Sequence, residues 1–224
     1  MRLLELFCGS GSIGYAFKAH QWEVISLDNN PKSNPTIKID ILEWDYKVFK
    51  PDYFDAIWAT PCCTQYSCAR RGAKTPRDLE WADSLVLKTL EIINYFNPTS
   101  WFIENPQTGL LKERPFMKEL NFTDLDYCRY CDWGYRKRTR IWSNTGFLGK
   151  LCLGIDRCEN MTDRRHNTTA QQGRNIMKNG YYGGNFKTSE LGRTPERLCN
   201  EIVEICRVWG KFLPRPDVIH HNSP

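Results

Sequence analysis

Two adjacent cysteines, Cys62 and Cys63, follow a short apolar run that ends in Thr-Pro. The run, residues 54–58, predicts a buried strand that would deliver a thiol to the edge of a sheet. A cysteine thiolate is a nucleophile that can form a covalent adduct with a substrate. The alternative is that both cysteines are packing residues at the end of a strand.

A single carboxylate ends a second apolar run. Residues 100–103 predict a strand, and Glu104 follows it directly. A carboxylate at a strand end can hydrogen-bond a ligand or exchange a proton with it. A lone glutamate in such a place is otherwise a surface residue.

A glycine-rich turn lies near the N-terminus, with the sequence Phe-Cys-Gly-Ser-Gly-Ser-Ile-Gly over residues 7–14. Gly9 and Gly11 have no side chain, so a ligand could approach the backbone closely. Such a turn alone could serve a dinucleotide or only a change of chain direction. Two further strand-like runs end in Asp28 and Asp40. Their carboxylates could accept hydrogen bonds from ribose hydroxyls and from an adenine amino group, respectively.

Basic residues are clustered in two places. One cluster follows the cysteine pair and the other occupies a single segment: Arg70, Arg71 and Lys74, then Arg129, Arg136, Lys137, Arg138 and Arg140. Such clusters favour a polyanionic partner, although most runs of charge are simply solvated.

In this order, the glycine turn, the strand-end cysteine and the strand-end glutamate resemble the cytosine-5 DNA methyltransferases. Pro61-Cys-Cys-Thr-Gln-Tyr-Ser67 resembles the Pro-Pro-Cys-Thr-x-Phe-Ser motif of compact phage-type and virus-type members. Phe102-Ile-Glu-Asn-Pro106 resembles Glu-Asn-Val, and residues 135–142 resemble Gln-x-Arg-x-Arg followed by a strand. Alignment on the proline would select Cys62, whereas alignment on the aromatic-serine pair selects Cys63, which we expect to be the nucleophile.

The resemblance implies an α/β fold of the class I S-adenosylmethionine-dependent methyltransferases, which is Rossmann-like and has helices on both faces of a mostly parallel sheet. It implies that Cys63 adds to C6 of cytosine and thereby activates C5 for methylation. Glu104 would stabilise the activated base. Arg140 would contact the base carbonyl and Glu104, Arg138 would reach a phosphate, and both arginines would favour the thiolate. The residues expected to hold S-adenosylmethionine are Phe7, Gly9, Gly11, Asp28, Asp40 and Pro61.

The implied partner is DNA, with the target base flipped out of the duplex or presented in a single strand. One branch of the family modifies RNA, so a transfer-RNA cytosine-5 methyltransferase is an alternative. The others are a catalytically silent nucleic-acid-binding protein and an enzyme that methylates a free nucleotide. The family's last motif, a glycine-asparagine stretch, has no clean match, and we expect residues 193–198 to replace it.

The remaining chemistry is a set of possible metal ligands. The chain has 10 cysteines, and without a secretory signal these argue against a disulfide framework. Cys128, Cys131, Cys152 and Cys158 are spaced as the ligands of a structural zinc site could be, with His166 close behind. The alternative is that the first two are packing residues at a strand end.

These residues need a scaffold, which the periodicity predicts. Strands are expected over 3–7, 24–27, 37–39, 54–58 and 100–103, and helices over 76–96 and 194–209. This alternation predicts a mainly parallel sheet, in which ligands bind beyond the carboxyl ends of the strands. We expect a catalytic core over 1–143, a short target-recognition insertion over 144–192, a returning helix over 193–213 and a loose tail over 214–224.

Composition limits the other possibilities. At 224 residues the chain can form one full-sized core, and its 41% hydrophobic and 25% charged residues are ordinary for a globular protein. No apolar run approaches the roughly 18–20 residues of a membrane span. The N-terminus enters a predicted strand at once, so no signal peptide is expected. We expect a monomer without membrane contact, in the cytoplasm or with nucleoid or host-cell DNA.

Overall fold

The computed structural model describes residues 1–155, 157–170 and 186–212. Its central sheet contains seven strands: β1 (Arg2–Leu6), β2 (Glu23–Asp28), β3 (Ile37–Lys38), β4 (Ala56–Ala59), β5 (Ser100–Pro106), β6 (Phe122–Asp126) and β7 (Arg138–Ser143). Their order is β3-β2-β1-β4-β5-β7-β6. β7 pairs antiparallel with both β5 and β6, while the pairs among β1 to β5 are parallel. The predicted mostly parallel sheet is confirmed.

The helices are α1 (Ser12–Ala19), α2 (Leu79–Phe96), α3 (Thr188–Leu191) and α4 (Glu196–Phe212). α2 begins later than the expected start at Pro76, because the Asp78 side chain accepts a hydrogen bond from the Trp81 N–H at 2.9 Å and caps the helix. No helix among the described residues has the length and hydropathy needed to cross a membrane.

Apolar side chains cover both faces of the sheet. Because side chains alternate along a strand, Leu4 and Ile57 pack on one face with α2. Leu3 and Trp58 pack on the other face with α1 and α4. All four side chains are at most 2% exposed, and burying each contributes about 1.5–3 kcal/mol. The prediction of helices on both faces is therefore confirmed.

The chain beyond β7 returns along the edge of the sheet. Antiparallel β7 ends beside the start of β5, where Ser143 pairs with Phe102. The next residues then follow β6: the Gly149 N–H donates to the Thr123 hydroxyl at 2.8 Å, and the Lys150 carbonyl accepts from the N–H of Asp126 at 3.0 Å. A small hairpin follows, formed by β8 (Met161–Thr162) and β9 (Arg165–His166). The predicted tail over 214–224 lies outside the described residues.

One carboxylate is buried between β1 and α1. Glu5 is 3% exposed and accepts a hydrogen bond from the backbone N–H of Gly14. A Cβ atom at residue 14 would overlap the Glu5 carboxylate, so α1 can approach β1 this closely only with glycine there. Burial raises the pKa of Glu5 to about 7. This contact positions the glycine turn that joins the strand to the helix.

Replacing Glu5 by glutamine should remove a pH-dependent loss of stability. The folded-state pKa is above the usual 4.5, so the folded chain binds the proton more tightly and the free energy of unfolding falls as pH rises from about 4.5 to about 7. A pKa shift of this size corresponds to about 3 kcal/mol. Urea unfolding at low and at neutral-to-basic pH should show Glu5→Gln gaining stability relative to the wild type as pH rises. A constant difference between the two proteins would contradict this assignment.

Candidate active site

The two cysteines lie just beyond the carboxyl end of β4, in different surroundings. Cys62 packs against the core on the α2 side of the sheet, and its Sγ donates to the Thr64 hydroxyl oxygen at 3.3 Å. The thiol of Cys63 instead interacts electrostatically with Glu104 and Lys137. The cysteine that we expected to be the nucleophile is therefore the one that shares its surroundings with the predicted carboxylate.

Side chains from two later segments hold the loop that carries Cys63. The Tyr66 hydroxyl donates to Asp83 at 2.7 Å, and Asp83 also accepts from the Arg114 Nε at 3.0 Å. Arg77 donates to two carbonyl oxygens of the loop, that of Ser67 at 2.8 Å. Because Tyr66 is fully buried, this network fixes the loop against α2 rather than leaving it free at the surface.

Glu104 lies near the end of β5 and is 6% exposed. Among the described residues its Oε1 has no hydrogen-bond partner, and the Nζ of Lys137 lies 3.8 Å from it. The next side chain, Asn105, donates from Nδ2 to the carbonyl oxygen of Pro61 at 2.9 Å and so ties β5 to the loop after β4. A buried carboxylate oxygen with unused hydrogen-bonding capacity suits the recognition of a polar ligand.

Lys137 is the cation of the site, although the sequence pattern did not single it out. Besides Glu104, its Nζ contacts the carbonyl oxygen of Leu191 at 3.1 Å and lies 4.7 Å from the centre of the Tyr127 ring. Its side chain is 17% exposed. The available signal was its position directly before β7. It lies an odd number of residues from both Arg138 and Arg140, so alternation places it on the opposite face from them.

The predicted contact between Arg140 and Glu104 is wrong. Side chains alternate along β7, and the register places Ile141 rather than Arg140 opposite Glu104. Arg140 faces the other side of the sheet and binds Asp124 of β6 through Nε at 2.7 Å and a terminal nitrogen at 2.9 Å. Arg138 shares that face and is exposed. The positively charged group with the largest effect on Cys63 is Lys137.

The charges around Cys63 oppose one another. Burial and the carboxylate of Glu104 raise the pKa of the Cys63 thiol, the ammonium of Lys137 lowers it, and the net pKa is about 11. At neutral pH the thiol is therefore protonated in the chain without ligands. Any event that neutralises Glu104 would favour the thiolate.

The six predicted cofactor residues lie along one edge of the sheet. Phe7, Gly9 and Gly11 form the turn after β1 and have positive φ angles of 56°, 51° and 70°. Asp28 ends β2 and accepts from the Gly9 N–H at 2.9 Å, and Asp40 follows β3 and accepts from the Leu42 N–H at 2.9 Å. Pro61 follows β4. Since β3, β2, β1 and β4 are neighbours, these turns are adjacent.

The turn after β1 fits a nucleoside-containing cofactor. A Cβ atom built on Gly9 would meet only the carbonyl oxygen of Phe7, at 3.8 Å, so the space beside this backbone is open. Each carboxylate oxygen has two acceptor sites. Asp28 and Asp40 therefore keep capacity for hydroxyl and amino hydrogens after binding the backbone.

The predicted group of four cysteine ligands is wrong in one member. The ligand atoms of Cys128, Cys152, Cys158 and His166 all lie within 4.8 Å of one another. Cys131 is outside this group, because its Sγ donates to the carbonyl oxygen of Tyr127 at 3.1 Å at the end of a short helical turn.

No protein-family model matches the chain. A curated relative, "Probable DNA (cytosine-5)-methyltransferase" of Frog virus 3 (isolate Goorha), is 36% identical over 222 residues, which cover 92% of this chain and 100% of the relative. Among solved structures, S. pombe Dnmt2 methyltransferase and a Spodoptera frugiperda DNMT2 mutant are each 18% identical, with TM-scores of 0.46 and 0.47. The matches cover 73% and 68% of this chain but only 56% and 55% of those chains.

The opposing charges predict how the reactivity of Cys63 responds to substitution. Glu104→Gln removes a negative charge and should lower the pH at which Cys63 is alkylated, whereas Lys137→Met should raise it. Arg140→Gln is the matched control and should have no effect, since Arg140 binds Asp124 on the other face. Iodoacetamide labelling of Cys63 as a function of pH, followed by peptide mass spectrometry, measures this. An effect of Arg140→Gln as large as that of Lys137→Met would contradict the assignment.

Proposed function

The chain belongs to the DNA (cytosine-5)-methyltransferase family, and from this premise we propose that it transfers a methyl group from S-adenosylmethionine to C5 of cytosine in DNA. The observation that carries the proposal is the meeting of Cys63, Glu104 and Lys137 at one sheet edge. The glycine turn and the two strand-end aspartates lie along the same edge. The proposed nucleophile, a buried carboxylate and the proposed nucleoside pocket are therefore neighbours.

S-adenosylmethionine supplies an electrophilic methyl group when it is bound. Asp28 would accept hydrogen bonds from the ribose hydroxyls and Asp40 from the adenine amino group. Gly9 leaves space for the ligand at the turn, and the ring of Phe7 would pack near the adenine and methionine parts. The full set of residues that we assign to this pocket is Phe7, Gly9, Gly11, Asp28, Asp40 and Pro61.

Cys63 would form the covalent adduct. Cytosine C5 is a weak nucleophile, and addition of the thiolate to C6 moves electron density to C5. After methylation, loss of the C5 proton and elimination of the thiolate restore the aromatic base. Cys62 is a poor candidate for this role because it packs into the core on the α2 side.

Glu104 would couple recognition of the base to activation of the thiol. Its Oε1 has no hydrogen-bond partner among the described residues, and we assign it a proton shared with N3 of the base and a hydrogen bond to the amino group. A proton on Glu104 cancels the negative charge that raises the pKa of Cys63. Binding of the correct base would thus favour the thiolate at the moment it is needed.

Lys137 takes the place that the sequence pattern assigned to Arg140. Its ammonium lies 3.8 Å from Glu104 and lowers the pKa of Cys63, so it can stabilise both the thiolate and charge that develops on the base carbonyl. Arg138 is exposed and free to reach a phosphate. Arg140 has a structural role, since it binds Asp124 and its guanidinium carbon lies 3.5 Å from the centre of the Phe122 ring.

We assign target recognition to residues 144–192. The last described part of this segment lies beside Lys137: the Leu191 carbonyl contacts Lys137, and the Phe186 ring lies 5.1 Å from that of Tyr135. Directly after the segment, Arg193 lies 4.9 Å from the Trp133 ring centre. A segment this short can make few base contacts, so the target sequence should be short or loosely defined.

Substitution of Asp28 tests the nucleoside pocket. Asp28→Asn should weaken S-adenosylmethionine binding roughly ten- to hundred-fold, as expected for loss of hydrogen bonds to a charged group. Asp45→Asn is the matched control, because Asp45 also accepts from a backbone N–H, that of Lys47 at 3.1 Å, but follows no strand of the candidate site. Isothermal titration calorimetry measures both affinities. Equal affinities in the two variants would place the pocket elsewhere.

A mechanism-based trap tests the reaction. Duplex DNA containing 5-fluorocytosine should remain covalently attached to the protein in the presence of S-adenosylmethionine, because fluorine prevents the final elimination. Cys63→Ala should abolish the adduct, whereas Cys62→Ala should retain it. Denaturing gel electrophoresis of the labelled DNA gives the readout.

The contrary outcomes of this trap are distinct. An adduct that is lost only with Cys62→Ala would move the nucleophile to that residue. An adduct with a transfer RNA containing 5-fluorocytosine but not with DNA would identify the RNA enzyme. No adduct with either polymer, with the cofactor bound, would identify a silent binding protein.

A further inference from the structure

We propose that Cys128, Cys152, Cys158 and His166 bind one zinc ion, which fastens residues 152–166 to the end of β6. Their ligand atoms all lie within 4.8 Å of one another. Three sulfurs and one imidazole nitrogen are a set that zinc prefers in structural sites. This site is separate from Cys63 and from the cofactor residues, and the proposed methyl transfer does not require it.

The distances fit a tetrahedral ion. Zinc–sulfur bonds of about 2.3 Å and zinc–nitrogen bonds of about 2.0–2.1 Å place a ligand sulfur about 3.5–3.6 Å from a ligand nitrogen. His166 Nε2 lies 3.6 Å from the Sγ of Cys152 and 3.6 Å from the Sγ of Cys158. A ring nitrogen has one lone pair or one proton, so it can make only one good hydrogen bond. Two equal contacts are better explained by a shared ion.

The local backbone delivers these ligands. In the β8–β9 hairpin, Met161 pairs with His166, and the Met161 N–H donates to the Cys158 carbonyl at 3.0 Å. The hairpin thereby brings His166 next to Cys158. The turn requires positive φ angles at Asp163 and Arg164, 49° and 66°.

A buried side chain fixes the hairpin to the turn that carries Cys128. Asn160 is 5% exposed, and its Nδ2 donates to the carbonyl oxygens of Cys128 at 2.9 Å and Cys131 at 2.8 Å. Its Oδ1 accepts from the Gly134 N–H at 2.8 Å. The two parts of the chain that supply ligands are therefore held in a fixed position relative to each other, as a preorganised metal site requires.

Polar partners surround the sulfurs. The Gly154 N–H donates to the Sγ of Cys152 at 3.4 Å, and the Cys152 N–H donates to Asp126 at 2.8 Å. Asp126 also binds Arg136 through two bonds of 2.8 Å. The guanidinium of Arg136 interacts electrostatically with Cys128 and Cys152. Three thiolates around a divalent ion carry one net negative charge, which this arginine would compensate.

Among the described residues, burial of apolar side chains does little to hold this segment. Leu148, Leu151, Leu153 and Ile155 are 82%, 57%, 44% and 44% exposed and form no core of their own. A short polar segment of this kind commonly depends on a metal or a disulfide for its order. Four protein ligands would leave no open coordination position, so the ion is structural rather than catalytic.

Metal content of the full chain tests the proposal. Protein purified with a reductant and without a chelator should contain about one zinc ion per chain by plasma mass spectrometry. Cys158→Ser and His166→Ala should lose the metal. Cys131→Ser is the matched control and should retain it, because that thiol lies outside the group. His166→Cys should also retain zinc, since a thiolate can replace the imidazole.

Cobalt substitution of the wild-type protein needs no variant that could fail to fold. Bound cobalt(II) should show the visible absorption of a tetrahedral site together with sulfur-to-cobalt charge transfer. Absence of zinc and of this spectrum would overturn the proposal, as would loss of zinc from Cys131→Ser with retention in Cys158→Ser. A disulfide between two of the three ligand cysteines in freshly purified protein, detected by intact mass without reductant, would also overturn it.

Discussion

The pairing of a buried carboxylate with a partly buried ammonium, Glu104 with Lys137, is the interaction on which the candidate site depends. The two side chains are only 8% and 17% exposed, and either charge left alone there would cost several kcal/mol. The pairing requires β7 to run antiparallel, because only then does the start of β7 lie beside the end of β5, where Pro106 pairs with Thr139. The reversed strand thus places a cation at the edge where the parallel strands place the thiol and the turns.

The basic residues in and just before β7 lie in different places, some at the candidate site and others in ion pairs with β6. Alternation sends Arg138 and Arg140 to the face opposite Glu104, and Asp124 in β6 binds Arg140 there. Arg136, one residue before Lys137, is bound by Asp126. A run that looks uniformly basic in the sequence is therefore divided among the cation of the candidate site, two arginines that form ion pairs with β6 and one exposed arginine.

The sequence predicts the fold class, the strand-end positions and the edge where they meet, because each depends on a local motif and on the general rule for parallel sheets. It does not predict which face a residue of β7 occupies, since that depends on where the strand begins. β6 was not predicted at all: its two aspartates interrupt the apolar pattern, and their partners, Arg136 and Arg140, are distant in sequence. Likewise, His166 joins the thiol group only through a hairpin whose turn has two residues with positive φ angles.

The path of the chain beyond β7 has a consequence for how the protein can diversify. The chain returns along β6 to Cys152, and the later end of the segment, at Arg193, lies against Trp133. Cys152 and Arg193 therefore both lie near the end of β6 and the residues that follow it. Closing a longer loop between fixed ends costs only about 0.6 kcal/mol for each doubling of its length. Under the proposed function, specificity can therefore be changed by exchanging the residues between His166 and Leu191, which leaves the group of metal ligands and the carbonyl beside Lys137 in place.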